Sequence, residues 1–327
     1  MGSITKNYQP LEALRAMTGM AYGADRVPPG DDWVQELGIG LFNVAYRITL
    51  RDGYQSVLKI APPSGVEVMT YERGAMATEL AALALIRANT RVPVPAVDFA
   101  DQSLQLCDAD YFFMPYIDAD NLSTVKDTLS EQEQHAYGKG LGAATAELNS
   151  IRGPAFGPLD GSGRFGWRET FLAMVDDVLG DGARRDVDLG WDYDTVRAVV
   201  LDHADCLDEV TEPRFVEWDL WDGNVMVKEG QIVGILDHER AFYGDPLIEH
   251  GFNGVELPAF GDPTAFLHGY GKTAFTANEK RRRQLYCIHL GLIMIVETVY
   301  RELTDPQPYD WARARLDETM YLLGSSR

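Results

Sequence analysis

Apolar positions in the first third of the chain alternate, then switch to a longer period. Val44–Leu50 and Tyr54–Ile60 carry the period of two of half-buried strands, and Arg51-Asp52-Gly53 between them is a hairpin-turn signal. Met69, Met76, Leu80, Leu83 and Ile86 recur at helical spacing, which predicts a helix over 67–88. Val92-Pro93-Val94-Pro95 must end it, because proline lacks the amide donor and restricts its predecessor. Val94–Asp98, Leu104–Cys107 and Tyr111–Met114 read as short strands, so this stretch predicts a small sheet carrying one helix.

From about Leu122 the pattern is mainly helical. Tyr137, Leu141, Ala144, Leu148 and Ile151 mark one buried helix face, and Leu285, Ile288, Leu292, Ile295 and Val299 mark another. Further helices are predicted over 167–179, 193–209 and 308–323. One strand pair interrupts them: Val225–Val227 and Ile232–Leu236, around Lys228-Glu229-Gly230-Gln231. The expected class is α+β, with a β-rich N-terminal lobe over 1–114, a linker over 115–121 and a larger helical lobe over 122–327. Clefts between such lobes are preferred ligand sites.

Composition narrows the function. Apolar residues make up 46% and charged residues 24% of the 327, as in ordinary globular proteins. The formal net charge of −21 argues against partners that are nucleic acids or anionic membranes, and it would attract a cationic small molecule. Acid that simply solvates the surface accounts for the charge equally well. Cys107, Cys206 and Cys287 are too few and too widely spaced for a disulfide framework or a paired-cysteine zinc site. With no apolar signal core at the N-terminus, and an apolar run at Ile288–Val296 too short to span a bilayer, a cytoplasmic protein with reduced thiols is expected. The pattern does not speak to oligomeric state.

The chemistry concentrates in Glu217-Trp218-Asp219-Leu220-Trp221-Asp222-Gly223-Asn224 and in Asp237. Asn224 immediately precedes one predicted strand and Asp237 immediately follows its partner. A hairpin would therefore set them side by side at its open end, with Asp219 in a loop able to curl back over the same point. Hard oxygen ligands of this kind suit Mg²⁺, and phosphoryl transfer needs a metal on the phosphates plus a carboxylate to orient the acceptor hydroxyl.

Asp219-x-x-x-x-Asn224 followed by Asp237 and then Gly244-Asp245-Pro246 resembles the aminoglycoside-phosphotransferase family of small-molecule kinases, which includes choline kinase-like members. The resemblance implies a bilobal protein-kinase-like fold and ATP (or GTP) with Mg²⁺ as cofactors. It implies that Asp219 is the catalytic base or hydroxyl-orienting residue and that Asn224 and Asp237 hold the metal. In the N-terminal lobe it implies Lys59 on the phosphates, held by Glu79 (or Glu72), with Val57 roofing the adenine. Gly38-Ile39-Gly40-Leu41-Phe42-Asn43 would be a phosphate-covering loop offering Gly40 and Asn43, and Met114 and Tyr116 would offer hinge backbone groups to the base. The family usually has histidine where this chain has Glu217; it braces the catalytic loop. His238, where an aromatic is common, is expected to be a packing residue.

Other signals are weaker. Gly269-Tyr270-Gly271-Lys272-Thr273 lacks the first glycine of a Walker A loop and reads as an interhelical loop. Arg281-Arg282-Arg283 reads as a solvated helix face. The expected function is transfer of the γ-phosphate to a hydroxyl of a small molecule, with an aminoglycoside or other amine-bearing acceptor as first expectation. A choline, homoserine, fructosamine or macrolide kinase is the metabolic alternative. A catalytically silent nucleotide-binding module is the other, suggested by Glu217, and a protein kinase is a weaker third.

Overall fold

The hairpin expected around Arg51-Asp52-Gly53 forms, with Gly53 N–H donating to Leu50 O at 3.0 Å. Gly53 has φ 84°, a left-handed value that glycine adopts without a Cβ clash. The computed structural model describes residues 4–38, 40 and 42–324. Its contacts divide the chain into two units, Met1–Val68 with Pro95–Asp118, and Met69–Val94 with Ala119–Arg327. The segment 69–94 thus groups with the later residues, a division the linear spans 1–114, 115–121 and 122–327 do not express.

The first unit is a five-stranded antiparallel sheet in the order β1-β2-β3-β5-β4. Its strands are β1 (Val34–Leu37), β2 (Val44–Thr49), β3 (Gln55–Ile60), β4 (Phe99–Asp101) and β5 (Tyr111–Pro115). Alternation divides β3. Leu58 and Ile60 join Val44, Ile48, Tyr111 and Phe113 in a core closed by Leu14 and Met17 of α1 (Leu11–Tyr22), and Val57 and Lys59 lie on the opposite face. Neither α1 nor β1 was expected. Helix α1 has no capping side chain at Pro10, so its start carries no sequence signal. Leu104–Cys107 is not a strand: Leu104 is left-handed at φ 59°, after a side-chain turn in which Ser103 N–H donates to Asp101 Oδ1 at 2.8 Å. Val94–Asp98 does not pair as a strand either; the ladder begins where Asp98 N–H meets Phe113 O at 2.8 Å.

In the second unit the predicted helix of 67–88 is α2 (Ala75–Asn89), entered from left-handed Gly74 (φ 75°) after a 3-10 turn at Thr70–Glu72. There follow β6 (Asp120–Asn121), α3 (Leu122–Val125), α4 (Glu131–Leu148), α5 (Trp167–Arg184) and α6 (Tyr193–Asp202). Then come β7 (Arg214–Val216), β8 (Val225–Lys228), β9 (Gln231–Ile235), β10 (Phe242–Gly244), α7 (Thr264–Tyr270), α8 (Ala277–Tyr300) and α9 (Gln307–Leu322). The helix expected over 193–209 ends at Asp202 and continues as a 3-10 segment, Ala204–Glu209. The two predicted apolar faces, Tyr137/Leu141/Leu148 of α4 and Leu285/Ile288/Leu292/Ile295 of α8, lie in one core. Helices α4 and α7 meet at glycine: a Cβ on Gly142 would stand 2.0 Å from Phe266 O. No described helix is long and apolar enough to cross a membrane.

Of the arginine run only Arg281 is exposed, so the expected solvated face is corrected at the other two. Arg282 and Arg283 are buried. A buried guanidinium is tolerated only with acceptors around it. Arg282 Nε donates to Asp245 Oδ2 at 2.9 Å and a terminal nitrogen donates to Glu209 at 2.8 Å. Tyr286 OH donates to the same Asp245 oxygen at 2.6 Å and accepts from Trp167 Nε1 at 2.7 Å. Arg283 donates to Leu247 O, and to Asn253 Oδ1 at 2.8 Å. The Gly-Asp-Pro segment is thus the fastening point of α8. Asp245→Ala removes one of the two carboxylates on Arg282 and the acceptor of the Tyr286 hydroxyl, and urea unfolding should show a loss of about 3 kcal/mol.

Candidate active site

Strand β7 delivers the chain to Glu217, and a 3-10 turn at Asp222–Asn224 leads into β8. The β8–β9 register pairs Val225 with Ile235. One step further, Leu236 N–H donates to Asn224 O at 2.9 Å, so Leu236 opposes Asn224 and Asp237 follows immediately beyond that pair. Asn224 Nδ2 donates to Asp219 O at 2.8 Å, which ties the loop to the hairpin and orients the amide oxygen away from that bond. The three residues singled out from the sequence are brought together.

The Asp219 carboxylate keeps 30% of its surface open and stands 3.7 Å from Arg240 Nε. Burial of its surroundings pushes its pKa up to about 6; Arg240 pulls it down, while Asp237, Glu297 and Glu217 push it up. Arg240 donates to Glu297 at 2.7 Å and lies over the Tyr71 and Trp218 rings at 5.2 and 5.6 Å. Glu297 also accepts from Arg301 at 3.0 Å, and Arg301 pairs with Glu72. Glu72, the fallback partner for Lys59, is therefore engaged inside the second unit.

Trp218 (φ 65°) and Asp237 (φ 70°) are left-handed without being glycine. Such residues cost on the order of 1–3 kcal/mol each and persist only where the surroundings fix them. Glu249 fixes the first: it accepts the N–H groups of Glu217 and Trp218 at 2.9 and 2.8 Å, and Asn149 Nδ2 at 2.8 Å. Burial pushes the Glu249 pKa up to about 7 against the pull of those donors. Sequence reading missed Glu249. Its signal was an acid straight after the apolar pair Leu247-Ile248.

Glu217 and His238, both buried, meet at 2.8 Å through Oε2 and Nδ1, and His238 Nε2 faces Ile235 O at 3.1 Å. His238 is thus a bonded residue and not only packing. Burial pulls its pKa down, but Glu217 more than offsets this, and the net direction is up. Carboxylate oxygens of Glu79, Asp237 and Glu239 lie within 4.8 Å of one another. A cluster of hard oxygens fits a divalent cation such as Mg²⁺. Glu239 was also missed, although its Asp-x-Glu spacing to Asp237 was visible.

In the first unit, Lys59 and Val57 are buried on the β3 face away from α1. Glu79 belongs to the second unit. Gly40 is exposed with φ 96°, Asn43 is buried, and Ile39 and Leu41 of the same loop lie outside the described residues. The hinge expectation fell on Met114 and Tyr116. Tyr116 N–H is spent on Gln55 O at 3.0 Å, and Met114 O accepts from Ser56 Oγ at 2.9 Å. Both residues turn their backbone groups toward β3, with Met114 paired to Val57. Antiparallel alternation turns the carbonyl of Pro115, the last residue of β5, the other way.

The model of the phosphotransferase enzyme family matches residues 33–284. The chain belongs to that family. Among curated proteins no sequence matches this phosphotransferase. Its fold is that of several solved relatives, the protein-kinase-like class with a small β-rich part and a larger helical part. The aminoglycoside phosphotransferase APH(4)-Ia, in a ternary complex with ADP and hygromycin B, superposes with a TM-score of 0.66 at 17% identity, over 96% of this chain and 100% of that one. APH(2")-IIa with streptomycin and ATP gives 0.62 at 16%, over 95% and 97%. A putative aminoglycoside phosphotransferase from Ralstonia eutropha JMP134 gives 0.64 at 13%, over 97% and 99%.

Arg240 favours the ionised form of Asp219. If Asp219 is the base proposed below, Arg240→Gln should therefore move the acid limb of the kcat/KM profile to higher pH and lower kcat about 10-fold. Initial rates of ADP formation between pH 5 and 8 measure both.

Proposed function

We propose that the protein is an ATP- and Mg²⁺-dependent kinase that moves the γ-phosphoryl group to a hydroxyl of a small molecule. The observation that carries this reading is the convergence of Asp219, Asn224 and Asp237 at the open end of the β8–β9 hairpin, with the Asp219 pKa raised to about 6. A carboxylate tuned to that value is ionised at neutral pH, yet accepts a proton more readily than an ordinary aspartate.

Asn224 and Asp237 would hold Mg²⁺, with Glu79 and Glu239 adjoining, and the ion would neutralise phosphate charge. Asp219 accepts a hydrogen bond from the acceptor hydroxyl and aims its oxygen at the γ-phosphorus. The new O–P bond forms as the bond to the bridging oxygen of ADP breaks, and the hydroxyl proton passes to Asp219. From the first unit we assign Lys59 to the nucleotide phosphates, Val57 to one face of the base, and Gly40 and Asn43 to the phosphate-covering loop. The base edge goes to the Pro115 carbonyl and the Ile117 N–H in place of Met114 and Tyr116. Glu79 is assigned a shared role, beside the metal and toward Lys59.

An amine-bearing acceptor is the first choice, supported by the formal net charge of −21 and by the aminoglycosides in the solved complexes of APH(4)-Ia and APH(2")-IIa. The test is ADP release from MgATP with a panel of amino sugars, macrolides and amino alcohols. One acceptor should stimulate turnover. Asp219→Asn should then lower kcat about 10³-fold while calorimetry shows nucleotide affinity unchanged. Stimulation by none, with nucleotide bound normally, would establish the silent binding module instead.

A further inference from the structure

Two side chains of the second unit face inward where two of the proposed machinery face out. Glu217 and His238 are 1% and 0% exposed, respectively. Each neighbours a left-handed residue, since Trp218 separates Glu217 from Asp219 and Asp237 precedes His238. The reversed backbone lets adjacent side chains diverge: one of each set turns into the protein and the other toward the metal and acceptor. The inward ones meet at 2.8 Å. The meeting cross-links the loop that carries Asp219 to the end of the strand that carries Asp237, eighteen residues apart in sequence.

The hydrogen-bond pattern is one-way. His238 Nδ1 faces a carboxylate and Nε2 faces the Ile235 carbonyl, 3.1 Å away, and both are acceptors. The ring is thus held at both ends, with one end anchored to β9. Glu217 Oε1, by contrast, has no hydrogen-bond partner among the described residues. A buried pair selected for stability would satisfy that oxygen, and well-packed apolar side chains generally serve stability as well as a buried ion pair does. What such a pair supplies is a fixed geometry.

We infer that Glu217 and His238 are a positioning pair that sets Asp219 against the metal-binding Asp237, doing from the side chains what a histidine at position 217 would do as a brace. The departure at Glu217 is matched by the departure at His238, so it does not mark a silent enzyme. The inference rests on the roles proposed above for Asp219 and Asp237.

The informative variant is the full chain carrying Glu217→Met with His238→Leu, which fills the same space without burying a lone charge. Its thermal melting should stay near that of the parent. Acceptor-free hydrolysis of MgATP should fall about 100-fold in kcat, with KM for ATP within about threefold, because displaced groups lose alignment rather than affinity for nucleotide. Mn²⁺ affinity, read by electron paramagnetic resonance without nucleotide, should fall about 10-fold. Glu217→Gln, which keeps an acceptor facing Nδ1, should recover most of both losses. A folded double variant with parental kcat and Mn²⁺ affinity overturns the inference. If the parent hydrolyses no ATP without acceptor, kcat is read with the stimulating acceptor; if none stimulates, the kinase reading fails by itself, and the Mn²⁺ titration still decides the pair.

Discussion

The register of the β8–β9 hairpin is the constraint on which the site depends. Leu236 N–H bonded to Asn224 O fixes which residues emerge from its open end. A slip of one residue would exchange the faces of every side chain on the moving strand and replace Asp237 with Leu236 or His238. The register shift between Met226 and Val227 means that two residues on one strand oppose fewer on the other, so the turn alone does not set the pairing. It is held from outside, by β6 on the far edge of β8 and by Ile235 N–H on Pro93 O. The proline-rich exit from α2 therefore serves the site as well as ending the helix.

Around that register the second unit buries an unusual amount of charge. Glu249 clamps the loop backbone, Arg240 joins Asp219 to Glu297, and Arg301 joins Glu297 to Glu72. Each ion loses several kcal/mol of hydration on burial, so the network is weak as a source of stability. Within it, Glu249 holds the left-handed, non-glycine Trp218 where no regular element would hold it.

Much of this was legible in the sequence, and the parts that were not share a cause. Periodicity reports which way side chains point, so it found the two hairpins, α2, α4 and α8, and it placed Val57 and Lys59 on one face. It does not report which backbone groups face which neighbouring strand. That parity depends on the partner's register, and so periodicity did not reveal that the Tyr116 N–H and the Met114 carbonyl have partners on β3. Residue type misled at Arg282 and Arg283, because a run of arginines normally belongs in water and nothing nearby in sequence reveals Asp245, Glu209 and Asn253 as partners. Glu249 and His238 were missed for the same reason: their partners lie 32 and 21 residues away, at positions only the fold brings close. Motif spacing anticipated that Asp219, Asn224 and Asp237 would lie near one another, because they flank a single short hairpin whose geometry can be worked out from its length.

The electrostatics of Asp219 follow from the same arrangement. A carboxylate this close to Asp237 and Glu297 would, with burial added, be protonated well into the neutral range were it alone with them. Arg240 opposes that, and it can do so only because Tyr71 and Trp218 receive its guanidinium on their faces while Glu297 fixes its orientation. The value of about 6 is thus a balance between desolvation and one cation. It leaves Asp219 ionised at neutral pH but close to its midpoint, the poise that the proposed role as base would need. Both requirements would be lost by a more exposed aspartate, which would be a weaker base, and by one buried without Arg240, which would already carry the proton.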